Sequence, residues 1–182
     1  MYIDDYKRWL STDLEDPPHR RTEEIEGQDN EIKERFAVAL KFGTAGLRGI
    51  LGAGSNRMNI YVVRQATQGL ANWVKTQGGS QLVAISYDSR INSDVFARNA
   101  ACVLAANGIR VRIYDALMPV PALSFATRYY KANAGIMITA SHTPPNTTAT
   151  KLRPRRLPDD GRCRRRGVTR KFRKPTFSPV RR

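Results

Sequence analysis

LVAISYDSR, residues 82–90, opens with the first of three short β-forming runs that decide the fold; IRVRIYD follows at 109–115 and AGIMITASH at 134–142, and the first and third are apolar. Apolar runs rich in β-formers and bounded by polar turns have the composition of buried strands in a parallel sheet. The segments between them have helical spacing. Asn92 or Ser93 can cap a helix whose buried stripe is Phe96, Ala100, Val103 and Leu104, and Asn107-Gly108 closes it. Pro119 and Pro121 open another helix, which reaches Tyr130. Strand, helix, strand, helix, strand in this order predicts an α/β fold, a mainly parallel sheet flanked by helices with right-handed connections. Ligand chemistry in open α/β sheets gathers at the carboxyl ends of strands. Asp88-Ser89-Arg90 and Ser141-His142 both fall there.

Upstream of the first strand, Ile60, Val63, Leu70, Trp73 and Val74 recur at helical spacing, and Gly78-Gly79 ends that helix. LKFGTAGLRGILGAGSNRM, residues 40–58, has five glycines and reads as an extended segment with a sharp turn. Residues 4–40 mix charged and apolar positions, with Ile32, Phe36 and Leu40 four apart, and predict two short helices. The chain therefore divides into a helical segment at 1–40, an α/β domain at 41–142 and a basic tail at 143–182.

Length fits one domain with a core. No apolar run approaches the roughly 18 residues of a membrane helix, so no membrane partner is expected. The acidic start MYIDDYKRWLSTDLED does not resemble a secretory signal, which implies a cytoplasmic home. Cys102 and Cys163 make neither a disulfide framework nor a metal cluster and read as a buried small residue and an incidental thiol. The net charge of +15 suggests nucleic acid, but residues 143–182 hold 14 Lys and Arg against two Asp, a net of +12, leaving the rest at +3. Proline and charge without apolar periodicity predict that this tail is disordered.

Ser141 and His142 are adjacent, and neighbouring side chains on a strand point to opposite faces, so the pair is weak support for a hydrolase triad. Arg48 stands next to Gly49 and two residues from Gly46. A guanidinium on such side-chain-poor backbone suits bidentate phosphate binding.

FGTAGLRG at 42–49 and TASH at 139–142 resemble the two first-domain motifs of the α-D-phosphohexomutases, the phosphoglucomutase/phosphomannomutase family. The family's serine loop runs T-A-S-H-N-P-x-x-Y-N-G-x-K. Here TASH is intact, but the continuation TPPNTTATK matches only at Pro144 and Lys151. The genetic code accounts for the departure. Written as ACC CCG CCA AAT ACA ACG GCT ACA AAG and preceded by one A, the same bases encode NPAKYNGYK, and one more T at the Leu152 codon yields VYGPDGCQMTAD. Two dropped bases would explain the stretch, with the Arg and Pro content of the tail a by-product of the shifted frame; the counter-reading is a chance reconstruction or a genuine basic extension.

The resemblance covers residues 2–151, most of the first of the family's four domains. It implies phosphoryl transfer between the 1- and 6-positions of a hexose phosphate through a hexose bisphosphate. Ser141 becomes the phosphorylated donor, Arg48 steadies phosphate, His142 contacts the reacting group and Lys151 moves a proton to or from the sugar hydroxyl. Asp88 and Arg90 are expected to brace the strand end through an ion pair. Mg²⁺ is the implied cofactor, with Ser141 contributing one ligand through its phosphate. The remaining ligands, in the family's D-G-D-x-D-R loop, do not occur in this sequence, nor do its sugar-reading loop and its C-terminal phosphate-binding domain. The expectation is a phosphohexomutase by descent that is inactive as this isolated chain. The alternative from another class is a basic protein binding nucleic acid nonspecifically through residues 151–182, where only Phe172 and Phe177 could stack on bases.

Overall fold

The computed structural model describes residues 2–11, 22, 25–43, 46–139 and 147–154. The three runs form β3 (Leu82–Tyr87), β4 (Arg110–Ile113) and β5 (Ala134–Thr139), and β3 pairs in parallel with both of the others. Every residue of β3 and β5 is buried, as apolar runs of this kind require. Three further strands, β1 (Phe42–Gly43), β2 (Gly46–Ile50) and β6 (Thr147–Pro154), extend the sheet in antiparallel fashion. The order across the sheet is β1-β2-β6-β5-β3-β4.

The helices are α1 (Tyr2–Ser11), α2 (Asp29–Phe36), α3 (Ile60–Gln77), α4 (Ser93–Ala106) and α5 (Val120–Tyr129). Val63, Leu70 and Val74 of α3 and Phe96, Ala100 and Leu104 of α4 pack with Val83, Ile85, Ile136 and Ile138 on one face of the sheet. Leu123 and Ala126 of α5 meet Leu82, Ala84 and Met137 on the other. Burial of one such large apolar side chain stabilises the fold by about 1.5–3 kcal/mol. Gly135 lets α5 lie close, since a Cβ there would fall 2.7 Å from Thr127 Oγ1 and 3.2 Å from Leu123. Tyr6 and Trp9 of α1 meet Phe36 edge-on, and Trp9 also meets Tyr61 of α3 at 5.4 Å, which docks the N-terminal helices onto the domain.

Two details depart from the sequence reading. Asn92 holds the N-cap position of α4 at a left-handed φ of 62° but makes no side-chain cap bond. Cys102 is an exposed free thiol. A third departure matters more, because the expected tail from residue 143 contains β6 at Thr147–Pro154, an interior strand between β5 and β2. Threonine's branched Cβ suits a pleated surface, and Thr148 and Thr150 are both buried. Residues 155–182 lie outside the described residues.

Candidate functional site

Arg48 is held by two neighbours in the sheet. Leu47 beside it is buried in the core under α3, so Arg48 turns to the opposite face, where it is exposed. In register Arg48 pairs with Ala149 of β6, and Ala149 pairs with Thr139 of β5. One row across three strands thus carries Arg48 at one end and, at the other, the last residue of β5, about 10 Å away at two strand spacings. Lys151 lies in β6 opposite Met137. Ser141 and His142 belong to residues 140–146, between β5 and β6 in sequence and outside the described residues. Among the described residues Arg48 has no ion-pair or hydrogen-bond partner, which leaves its guanidinium available for an anion.

The segment that follows Arg48 is fastened from two sides. Asn59 is buried, donates from Nδ2 to the carbonyls of Gly52 (3.0 Å), Gly54 (2.9 Å) and Arg57 (3.3 Å), and accepts from Val62 N–H at 2.9 Å. It therefore caps α3 and closes the 52–57 loop together. On the other side the Asn56 N–H donates to Arg35 O, and Arg57 pairs with Glu34 at 3.0 Å. Gly54 sits at φ +122°, with Arg35 O only 2.7 Å from where a Cβ would be, so α2 and the loop touch main chain to main chain.

Asp88 organises the ends of β3 and β5. Its Oδ2 accepts from Thr139 Oγ1 at 2.5 Å, and its Oδ1 accepts from Arg90 N–H at 3.1 Å and Ser93 Oγ at 3.2 Å. The Asp88 N–H donates to Ile138 O at 3.1 Å. This carboxylate ties both parallel strand ends and the start of α4 into one unit, and the tie at Thr139 comes two residues before Ser141 in sequence. Arg90 contributes its main-chain N–H to that brace. The sequence marks Ser93 only as a candidate helix cap and Thr139 only as the first residue of TASH; their bonds to Asp88, and the bonds of Asn59 to the 52–57 loop, are added by the structure. Such bonds depend on loop geometry that no spacing reveals. Among the described residues no group of three or more His, Cys, Asp and Glu could hold a metal.

Residues 39–157 match the model of phosphoglucomutase/phosphomannomutase, alpha/beta/alpha domain I. This chain belongs to that family. The phosphoglucomutase of Staphylococcus saprophyticus is 42% identical over 124 residues, which cover 68% of this chain and 22% of that protein. The phosphoglucomutase of Staphylococcus haemolyticus is 40% identical over 120 residues, 66% of this chain and 22% of its own. Among solved structures, a candidate phosphomannomutase of Thermus thermophilus superposes with a TM-score of 0.60 at 32% identity, covering 65% of this chain and 26% of that one. A family protein of Burkholderia thailandensis, at 22% identity and a TM-score of 0.58, shares the fold over 72% of this chain and 29% of its own. The chain thus spans about a fifth of the length of the curated relatives it matches. In phosphoglucomutase/phosphomannomutase terms it is domain I, and the family match runs through β6 rather than stopping at residue 142.

Proposed function

We propose that this domain supplies the phosphoryl-donor serine, Ser141, of a cytoplasmic enzyme that interconverts hexose 1- and 6-phosphates. The observation that carries the reading is the cross-strand row Arg48–Ala149–Thr139, which sets an exposed guanidinium in register with Thr139, two residues before Ser141 in sequence. In the proposed step the bond from phosphorus to Ser141 Oγ breaks as a bond to a sugar hydroxyl forms, and the hydroxyl proton passes to Lys151 acting as a neutral amine. The resulting hexose bisphosphate then returns its other phosphoryl group to Ser141: the bond from that phosphorus to the sugar oxygen breaks as the bond to Ser141 Oγ forms, and Lys151 gives its proton back to the leaving oxygen. Such transfer depends on in-line positioning and charge neutralisation more than on a strong nucleophile. A phosphoserine brings about −1.5 to −2 charges into the loop, and Arg48 and His142 are the cations assigned to balance them. Asp88 and Thr139 fix the end of β5, from which the chain continues to Ser141, and are assigned no contact with substrate.

Mg²⁺, when bound in the longer enzymes of the family, adds neutralisation at the phosphoserine. The described residues of this chain do not make a ligand set for it, and no step is assigned to it. Transfer requires both ends of the substrate to be held, and the 182 residues carry neither the family's metal loop nor its sugar-reading loop. The chain as it stands is therefore proposed to lack turnover, with the stretch after His142 read in a shifted frame.

Resequencing the DNA across the codons for His142–Arg153 tests the frame directly. In the enzyme with its frame restored, Ser141→Ala is expected to remove phosphoenzyme, seen by intact mass, and nearly all mutase turnover. Full mutase activity with Ala at position 141 would overturn the assignment.

A further inference from the structure

β4 ends the sheet with one side open. Arg110 and Tyr114 donate their main-chain N–H groups inward, to Gln81 O at 2.9 Å and Ile85 O at 3.2 Å. The alternate residues Val111 and Ile113 therefore turn their N–H and C=O groups away from the sheet. Among the described residues no strand pairs with that side. Proteins usually guard such an edge with charge, and Arg110 and Arg112 are both exposed. That guard repels a second copy of the same basic strand but attracts an acidic one.

Beside the arginines lies a shelf of rings. The Arg112 guanidinium sits 4.6 Å over Tyr130, Tyr129 meets Tyr130 edge-on at 5.0 Å, and Phe125 stacks on Tyr129 at 5.4 Å. Phe125 and Tyr129 are 59% and 67% exposed, so the shelf faces water. Aromatic residues with arginine are the composition enriched in the cores of protein interfaces.

We propose that the open edge of β4 binds an extended acidic polypeptide segment as an added strand. Its carboxylates, at alternate positions, meet Arg110 and Arg112, its main chain meets Val111 and Ile113, and flanking apolar side chains rest on Phe125 and Tyr129. The outward groups alternate donor and acceptor, which matches a peptide main chain; a nucleic-acid backbone offers acceptors and would leave the carbonyls unmet.

The test follows amide hydrogen exchange at single residues in the full 182-residue chain, with an octapeptide alternating Val and Glu as probe. At ten times its Kd the peptide should slow exchange at Val111 and Ile113 roughly tenfold. The basic C-terminal residues can also attract the peptide but cannot protect these two amides. Arg110→Glu with Arg112→Glu should abolish the slowing. Val111→Pro removes one outward donor at a free edge that tolerates proline, and should weaken the protection at Ile113. A peptide alternating Val and Lys should do nothing. The proposal is overturned by unchanged exchange at saturating peptide or by protection that survives the double charge reversal. Equal protection by oligothymidylate would overturn it in favour of nucleic acid, and protection that grows with protein concentration alone would do so in favour of self-association.

Discussion

Thr148 and Thr150 carry buried hydroxyls with no hydrogen-bond partner among the described residues, whereas Asp88 has three donors on two oxygens. The two situations predict opposite responses to substitution. Replacing Thr150 by the isosteric valine removes an unmet polar group and should stabilise the domain by about 1 kcal/mol in urea unfolding. Asp88→Ala strips Thr139, Ser93 and the Arg90 N–H of their acceptor. A loss of about 1.5–3 kcal/mol is expected, discounted because Asp88 is half-buried. If Asp88→Ala left both stability and exchange at the end of β5 unchanged, the carboxylate would not be the brace described above. At Arg48 the expectation concerns chemistry rather than folding. In the frame-restored enzyme Arg48→Ala should reduce transition-state stabilisation by about 1.5–3 kcal/mol, read from kcat/KM, with unfolding unchanged because the side chain is exposed.

Among the elements, α3 and the loop before it share a single fastening. Asn59→Ala removes the cap from Val62 and the donor that serves Gly52, Gly54 and Arg57. The cap alone is worth about 1 kcal/mol, and the unmet carbonyls add to it, so a total of roughly 2–4 kcal/mol is expected. Exchange at Met58 N–H, which bonds Ile50 O, should accelerate more than exchange in β3. Uniform acceleration through both would mean that Asn59 stabilises the domain globally rather than holding the loop that follows Arg48. The helix starting after Asn59 was legible from spacing; the three carbonyls were not, because they depend on a loop closing back on the cap. LVAISY was legible as β3 because burial on both faces leaves an uninterrupted apolar run. TTATKLRP was not legible as β6, because threonines, a lysine and an arginine give no apolar period, and only the slot between β5 and β2 makes a strand of them. The pairing of Arg48 with Ala149 therefore stayed hidden, although Arg48 and TASH were each visible.

At the scale of the whole molecule, β6 joins the two halves of the sheet. Leu47–Ile50 of β2 pair with Thr147–Thr150, while Ala134–Thr139 of β5 pair with Ala149–Pro154. A chain ending at Pro154 keeps every described strand and should unfold as cooperatively as the full chain, with the same urea m-value. A chain ending at His142 leaves β2 without its inner partner and exposes the edge of β5, so its m-value and midpoint should both fall. The same cut at Pro154 separates charge from fold, because residues 155–182 hold 12 Lys and Arg against two Asp. Sequence-blind DNA binding arises from neutralising phosphates and weakens steeply with salt. The shortened chain should therefore lose low-salt DNA binding while its unfolding curve is preserved. The appropriate cut lies after Pro154 rather than at residue 150, which would remove half of β6 and confuse lost charge with lost structure. Low-salt binding undiminished in the chain ending at Pro154 would place the nucleic-acid contact on the folded body, with Arg110 and Arg112 at the open edge of β4 as the first residues to reverse in charge.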